Sequence, residues 1–177
     1  MPAAPMAFIT PADTTPPALR FDRVSKRYGR ADALRDFSLA IQAGQTFGLV
    51  GMNGAGKTTL LKCLLHFCQP DAGTIDIFGL SHWLTVARGR LAFLPERFNA
   101  PFYLTGRDFV KYMLALHGVA YVSAEVDRTF ADLDLDLSAL DKPVREFSKG
   151  MTQKLGLAAC FLARKELYLL EIGRAHV

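Results

Sequence analysis

The chain has 177 residues, of which half are hydrophobic and 21% are charged. This length and composition suit one globular domain with a buried core and exclude a chain that is disordered throughout. The longest nearly continuous apolar run, residues 155–163, is far shorter than the ~18–20 residues that a membrane-spanning helix needs. The N-terminus also lacks the basic and apolar regions of a secretory signal, so neither membrane insertion nor secretion is predicted.

The net charge and the number of cysteines indicate which binding partners and which cell compartment to expect. The net charge of +4 permits contact with anions such as nucleotide phosphates without requiring nucleic acid. Three cysteines, Cys63, Cys68 and Cys160, fit a reducing cytoplasm better than a disulfide framework. Cys63, His66 and Cys68 share one predicted helix, where ~100° per residue would point the two cysteines about 140° apart. They are therefore predicted to be core or boundary residues, not metal ligands.

The periodicity of the sequence predicts alternating strands and helices. Residues 1–17 are rich in proline and predict a disordered lead-in, and regular patterns begin at Ala18. Strands are predicted at residues 19–24, 34–41, 46–50, 74–78, 91–94 and 167–170. Helices are predicted at residues 57 to about 67, 108–116, 124–133 and 151–162, the last with Ser148 as its cap. The run at 46–50 is expected to be a buried central strand, and the alternation indicates an α/β fold.

A phosphate-binding loop is predicted directly after that central strand. Its residues fit the pattern G-x-x-x-x-G-K-[ST] and are Gly51, Met52, Asn53, Gly54, Ala55, Gly56, Lys57, Thr58 and Thr59. The glycines let successive N–H groups converge on an anion, and the following helix adds its positive end. Lys57 would place a charge on the β- and γ-phosphates, and the Thr58 hydroxyl suits Mg²⁺. A glycine-rich turn without a ligand is the alternative, and Thr59 excludes the dinucleotide-binding fingerprint.

Further motifs follow in an order that resembles the ATP-binding domain of ABC transporters over nearly all of residues 18–170. The loop at 51–59 has the GxNGAGKTT form of the family's Walker A motif. Tyr28, followed by a glycine, stands where the family keeps an adenine-stacking aromatic. Residues 91–96 stand where the family has its Q-loop, with Glu96 in place of the usual glutamine. The five residues resembling the signature sequence LSGGQ, in the LSKGM form, are Phe147, Ser148, Lys149, Gly150 and Met151. That form, together with Glu96, is similar to the ABC-2 export subfamily.

The resemblance implies a fold and a domain plan. The fold would be an α/β P-loop NTPase (RecA-like) core with an N-terminal antiparallel β subdomain and a helical signature subdomain, incomplete at the C-terminus. The truncated ATP-binding domain would span residues 18–171, with its helical subdomain at about 97–163.

The resemblance also implies the site residues and the cofactors, ATP and Mg²⁺. Tyr28 and the loop at 51–59 would contact the nucleotide, Lys57 and Glu96 would act in catalysis, and Thr58 and Glu96 would ligate the metal. The five signature residues would contact an ATP held by a partner subunit. Other interpretations remain open: an ordinary strand-end tyrosine, a solvated loop glutamate and a plain helix N-cap at Ser148. A basic cluster could hold phosphates or be solvated, and it consists of Arg20, Arg23, Lys26, Arg27 and Arg30.

The last residues depart from the family pattern. The strand at 167–170 should be followed by the Walker B aspartate and the catalytic glutamate, but the chain reads Glu171 and then Ile172. The catalytic glutamate is thus absent from the chain, and hydrolysis is expected to be negligible. Residues 171–177 can be back-translated into a sequence that resembles a sequencing adapter. Residues 172–177 are therefore predicted to be an artefact, with a natural truncated paralogue as the alternative.

The function implied by the resemblance is that of an ATP-binding subunit that drives export through a separate membrane permease. The expected partners are that permease and a second ATP-binding subunit, identical or related, with no nucleic acid. The expected location is the cytoplasmic face of the membrane. A soluble ABC-type ATPase acting on ribosomes or DNA is the alternative. A P-loop kinase or GTPase would not explain the signature-like residues at the start of a helix.

Overall fold

The computed structural model describes residues 15–52 and 54–171. They divide between Arg88 and Gly89 into an N-terminal unit and a C-terminal unit. Residues 172–177 and most of the predicted lead-in lie outside the described residues. No helix in the described parts of the chain is both long enough and apolar enough to cross a bilayer.

The N-terminal unit consists of β1 (Leu19–Tyr28), β2 (Ala31–Ile41), α1 (Lys57–Leu64), β3 (Ala72–Ile77), β4 (Leu80–Ser81) and α2 (Thr85–Arg88). Its strands form one antiparallel sheet in the order β2-β1-β3-β4. Leu19 and Phe21 of β1 are buried with the expected period of two, but the next buried side chain is Val24, because the register shifts between Phe21 and Val24. β1 and β2 form a hairpin in which Tyr28 pairs with Ala31, and Gly29 in the turn has φ 60°.

The C-terminal unit combines a parallel strand pair with a helical layer. Its elements are β5 (Leu91–Leu94), α3 (Gly106–Leu116), α4 (Ser123–Asp132), short 3₁₀ turns at Leu137–Asp141 and Val144–Glu146, α5 (Lys149–Leu162) and β6 (Leu167–Leu170). β5 and β6 pair in parallel from Leu91–Leu167 to Leu94–Leu170. The apolar faces of α3, α4 and α5 meet in one core that includes Phe109, Phe130 and Leu155.

α5 also packs closely against the end of β5. A β-carbon at Gly156 would lie 2.6 Å from Cδ1 of Leu94 and 2.8 Å from Cδ1 of Phe98. The absence of a side chain at Gly156 therefore allows the helix to approach the strand. This contact links the helix that follows Ser148 to the strand that precedes Glu96.

Most predicted elements are confirmed. β5 and β6 have the predicted bounds, and α3, α4 and α5 begin within two residues of the predicted starts. The predicted central strand at residues 46–50 is wrong: the described backbone there forms no strand, and the side chain of Val50 is 93% exposed. A strand needs a neighbour to satisfy its N–H and C=O groups, and the ladders of the described residues leave this run without one.

The helix predicted to reach residue 67 also ends early, at Leu64. His66 has a positive φ of 62°, which turns the backbone out of the helix. The N–H of Phe67 donates to the carbonyl oxygen of Lys62 at 2.8 Å, and the N–H of Cys68 donates to it at 3.3 Å. The chain therefore folds back over the last turn of α1.

Candidate nucleotide-binding site

The loop before α1 has the backbone that a phosphate-binding loop requires. Gly54 and Gly56 have φ of 82° and 85°, in the left-handed region that favours glycine. The N–H of Ala55 donates to the carbonyl oxygen of Met52 at 3.2 Å and closes a turn. Asn53, which belongs to the predicted site, lies outside the described residues. The loop thus curls immediately before the N-terminus of a helix, where backbone N–H groups are free to face an anion.

The charges around this loop favour a polyphosphate. The Lys57 ammonium donates to the carbonyl oxygens of Gly51 at 2.5 Å and Met52 at 2.8 Å, so it lies over the loop. Thr58 is exposed, Thr59 is half-buried, and the first turn of α1 contains no acidic residue. The positive end of the helix is therefore not neutralised by its own side chains. Lys57 suits phosphate oxygens, and the exposed Thr58 hydroxyl suits a hard cation such as Mg²⁺.

The side chain of Tyr28 is anchored by its hydroxyl, and part of its ring is exposed. Its hydroxyl donates to Sγ of Cys68 at 3.6 Å, and Nζ of Lys26 lies 5.6 Å from its ring centroid. The hydrogen bond to Cys68 is the main cause that raises the pKa of Tyr28. The residue is 50% exposed, so the ring retains a free surface on which a flat base could stack.

The basic cluster on β1 is largely paired with carboxylates. Lys26 Nζ lies 2.7 Å from Asp71 Oδ1, and Arg27 Nε lies 2.8 Å from Asp32 Oδ1. Arg20 and Arg23 both pair with Asp22, at 3.2 and 3.4 Å. The bond from Lys26, followed by the N–H of Arg27, lowers the pKa of Asp71. These pairs favour the interpretation of the cluster as a solvated surface.

Cys63 and Cys68 lie together, contrary to the prediction that they point apart. Their Sγ atoms are 3.5 Å from each other. The prediction extended α1 through residue 67, whereas the helix ends at Leu64 and the following turn brings Cys68 back to Cys63. No glycine, proline or asparagine at residues 64–67 signals this turn, so sequence reasoning missed the thiol pair.

In the C-terminal unit, two glutamates meet at the carboxyl ends of β5 and β6. The N–H of Glu96 donates to Oε2 of Glu171 at 3.5 Å, and the N–H of Glu171 donates to the carbonyl oxygen of Leu94 at 2.9 Å. Glu96 is exposed. Over the described residues, no group of three or more His, Cys, Asp or Glu side chains could hold a metal ion.

The signature-like residues form the start of α5. Ser148 caps the helix, because its Oγ accepts the N–H of Met151 at 3.2 Å. Phe147 and Met151 pack against the helical core, whereas Ser148, Lys149 and Gly150 are exposed. Among the described residues, a β-carbon at Gly150 would meet only Oγ of Ser148, at 3.9 Å. Glycine is thus not required here by crowding within the chain, which leaves room for a ligand.

Comparison with known proteins identifies the family. A family model described as "ABC transporter" matches residues 34–171. The chain belongs to the ABC transporter family. The match covers α1, the helical core and both parallel strands, and family members bind nucleotide through a P-loop NTPase fold.

Relatives within the family include ATP-binding proteins with transport names. The Nod factor export ATP-binding protein I of Paraburkholderia xenovorans is 35% identical over 162 residues, covering 87% of this chain and 52% of that protein. The daunorubicin resistance ATP-binding protein DrrA3 of Streptomyces coeruleorubidus is 34% identical over 164 residues, covering 90% of this chain and 51% of that protein. The chain therefore spans about half the length of these curated relatives.

A comparison with solved structures also finds an ATP-binding subunit of an ABC transporter. The ATP-binding subunit of an ABC transporter superposes with a TM-score of 0.74 at 27% identity, covering 86% of this chain and 65% of that one. The predicted fold class, a P-loop NTPase with an antiparallel sheet and a helical part, is thereby confirmed.

Proposed function

We propose that this chain is part of the ATP-binding subunit of an export-type ABC transporter. The observation that carries the proposal is the loop before α1, in which two left-handed glycines precede Lys57 and an acid-free helix N-terminus. The family match and the names of the relatives, among them an export protein and a drug-resistance protein, support the direction of transport.

The nucleotide would bind to the N-terminal unit through three kinds of contact. Backbone N–H groups of residues 54–59 would hold the phosphates, and Lys57 would move from its carbonyl partners onto the β- and γ-phosphates. Tyr28 would stack on adenine with its exposed ring face. A bound Mg²⁺ would neutralise phosphate charge, with the exposed Thr58 hydroxyl as a protein ligand.

The signature-like residues would serve a second subunit. Ser148, Lys149 and Gly150 are exposed at the N-terminus of a 14-residue helix, where N–H groups and the helix dipole favour an anion. In a homodimer or heterodimer they would face the γ-phosphate of the ATP bound by the partner. The cap at Ser148 is compatible with this role, since a capped N-terminus still presents N–H groups.

Hydrolysis by this chain would be slow. The positions of the Walker B aspartate and the catalytic glutamate hold Glu171 and Ile172. Isoleucine cannot polarise a water molecule, and phosphoryl transfer depends on positioning and electrostatics at that point. We therefore expect this chain to bind ATP with little turnover.

The helical unit would contact the permease at the cytoplasmic face of the membrane. Phe102 and Tyr103, in the loop before α3, are 67% and 69% exposed and pack edge to face on each other. Adjacent exposed aromatic side chains are typical of interface anchors. We therefore place the proposed contact with the permease at Phe102 and Tyr103, where mutagenesis can test it.

The test of nucleotide binding compares two lysines of one helix. Lys57→Met and Lys62→Met each remove one charge from α1, but only Lys57 lies over the loop. Titration with a fluorescent, non-hydrolysable ATP analogue and Mg²⁺ should show saturable binding in the wild type and Lys62→Met, and a loss of at least tenfold in Lys57→Met. Equal affinities of the two variants would contradict the proposed nucleotide site, and ATP turnover at an ordinary ABC rate would contradict the expected lack of hydrolysis.

A further inference from the structure

Cys63 and Cys68 form a pair of thiols beside the candidate adenine contact. Their Sγ atoms lie 3.5 Å apart, and Cys68 also accepts the hydroxyl of Tyr28 at 3.6 Å. A disulfide has an S–S length of about 2.05 Å, so a shift of roughly 1.5 Å would join the two sulfurs. The turn after α1 permits such a shift more readily than a helix interior, because Cys68 follows the reversal at His66.

The two sulfurs differ in access to solvent. Cys63 is fully buried, whereas Cys68 is only partly buried. Burial raises the pKa of Cys63 to about 12, so its sulfur is a neutral thiol near pH 7. An oxidant from solvent would therefore react with Cys68 first, and the buried Cys63 would be the second thiol, which reacts with the oxidised sulfur of Cys68.

We propose that Cys63 and Cys68 form a reversible disulfide under peroxide and that this bond releases Tyr28. Sulfur of Cys68 attacks one peroxide oxygen, the O–O bond breaks, and a sulfenic acid and one water result. Sulfur of Cys63 then attacks Sγ of Cys68, the S–O bond breaks, and the hydroxyl leaves as water with the proton of Cys63. Two thiols and one hydrogen peroxide thus become one disulfide and two waters.

The disulfide changes the surroundings of Tyr28. Sγ of Cys68 moves by roughly 1.5 Å toward Cys63, out of the position in which it accepts the Tyr28 hydroxyl at 3.6 Å, and that anchoring hydrogen bond is lost. The ring is then held at the end of β1 without that anchor. The consequence for nucleotide rests on the proposed function: a less ordered stacking surface weakens adenine binding.

Mass spectrometry tests the bond without reference to nucleotide. Trypsin cleavage after Lys62 and Arg88 releases one peptide, residues 63–88, that contains both cysteines. After hydrogen peroxide, the peptide from the whole protein should weigh two hydrogen atoms less and resist alkylation, and dithiothreitol should restore both properties. Two alkylatable thiols after peroxide, a sulfinic acid at Cys68, or a bond between separate chains would overturn the proposal.

Affinity for the fluorescent ATP analogue tests the consequence. Peroxide should weaken binding by the wild type about fivefold, the factor expected for one ordinary hydrogen bond. Cys68→Ser keeps a hydrogen-bonding group and should not respond to peroxide, whereas Cys160→Ala, which removes the buried thiol of the C-terminal unit, should respond as the wild type does. An oxidised protein with unchanged affinity would overturn the link to Tyr28. Absence of binding by the reduced protein would contradict the proposed function, and the peptide masses would still decide whether the disulfide forms.

Discussion

Gly56 lies against the carbonyl oxygen of Ala33 in β2, so close that a β-carbon at position 56 would collide with that oxygen. The same β-carbon would lie 2.9 Å from Cδ2 of Leu34. The start of α1 is therefore seated on the sheet of the N-terminal unit, and the loop at 51–59 is positioned by this packing. Gly54 has a similar φ, but apart from its chain neighbours no atom of the described residues lies within 4 Å of its β-carbon position.

Alanine substitutions at these glycines separate crowding from backbone strain. Gly54→Ala should cost about 1–2 kcal/mol of unfolding free energy, because only the left-handed conformation is disfavoured. Gly56→Ala should cost clearly more, because Ala33 must also move. Gly48→Ala, at an ordinary φ in open space, should be nearly neutral. Denaturant unfolding checks the order, and equal losses for Gly54→Ala and Gly56→Ala would contradict the packing argument.

Two substitutions at Tyr28 separate its ring from its hydroxyl. Tyr28→Phe keeps the ring but loses the bond to Cys68, and it should weaken binding of the ATP analogue about fivefold. Tyr28→Ala also loses stacking and should weaken binding by roughly tenfold or more. Tyr103→Ala, an exposed tyrosine of the C-terminal unit, is the control. Wild-type affinity in Tyr28→Ala would exclude the stacking role.

Capping and ligand contact at Ser148 can be measured separately. Ser148→Ala removes the acceptor for the Met151 N–H and should cost about 1 kcal/mol. Ser148→Asp keeps an acceptor at the helix N-terminus and should retain stability, but its charge should repel a phosphate. Thermal unfolding reports the cap, and sedimentation with ATP reports association with a second subunit. If Ser148→Asp associates as the wild type does, the exposed end of α5 does not contact phosphate.

His82 gives the N-terminal unit a dependence of stability on pH. The residue is 1% exposed, its Nδ1 bonds the carbonyl oxygen of Ile75 at 3.0 Å, and its Nε2 has no partner among the described residues. Burial, followed by the nearby charges of His66 and Arg88, lowers its pKa, although the bond to Ile75 and the charge of Asp76 act in the opposite direction. The folded protein therefore resists protonation of His82 where the unfolded chain accepts it.

Stability should accordingly fall as the pH drops below the unfolded pKa of about 6.5, because the unfolded state then binds the additional proton. His82→Asn retains a donor for Ile75 but cannot titrate. Chemical unfolding between pH 8 and pH 5.5 should show a smaller loss of stability in His82→Asn than in the wild type. The two proteins differ in one titrating group. If their unfolding free energies fell in parallel with pH, His82 would not be the origin of the pH dependence.

Local patterns determined much of this protein from its sequence alone. The loop at 51–59, the cap at Ser148 and the strands β5 and β6 were predicted at or near their observed positions. These features depend on residue types within a few positions of each other: glycines that accept positive φ, an oxygen that reaches the N–H three residues later, and short apolar runs. Such interactions are encoded locally, so sequence reasoning reaches them.

Tertiary structure decided the features that depend on a distant neighbour. The apolar run at 46–50 matches a buried strand, but a ladder needs a second strand, and hydropathy does not supply one. Gly56 and Gly150 look equivalent in sequence, yet only Gly56 is crowded by a neighbouring strand. The helix wheel placed Cys63 and Cys68 on different sides, whereas the turn after Leu64 brings their sulfurs to 3.5 Å, because where a helix ends depends on packing as well as on periodicity.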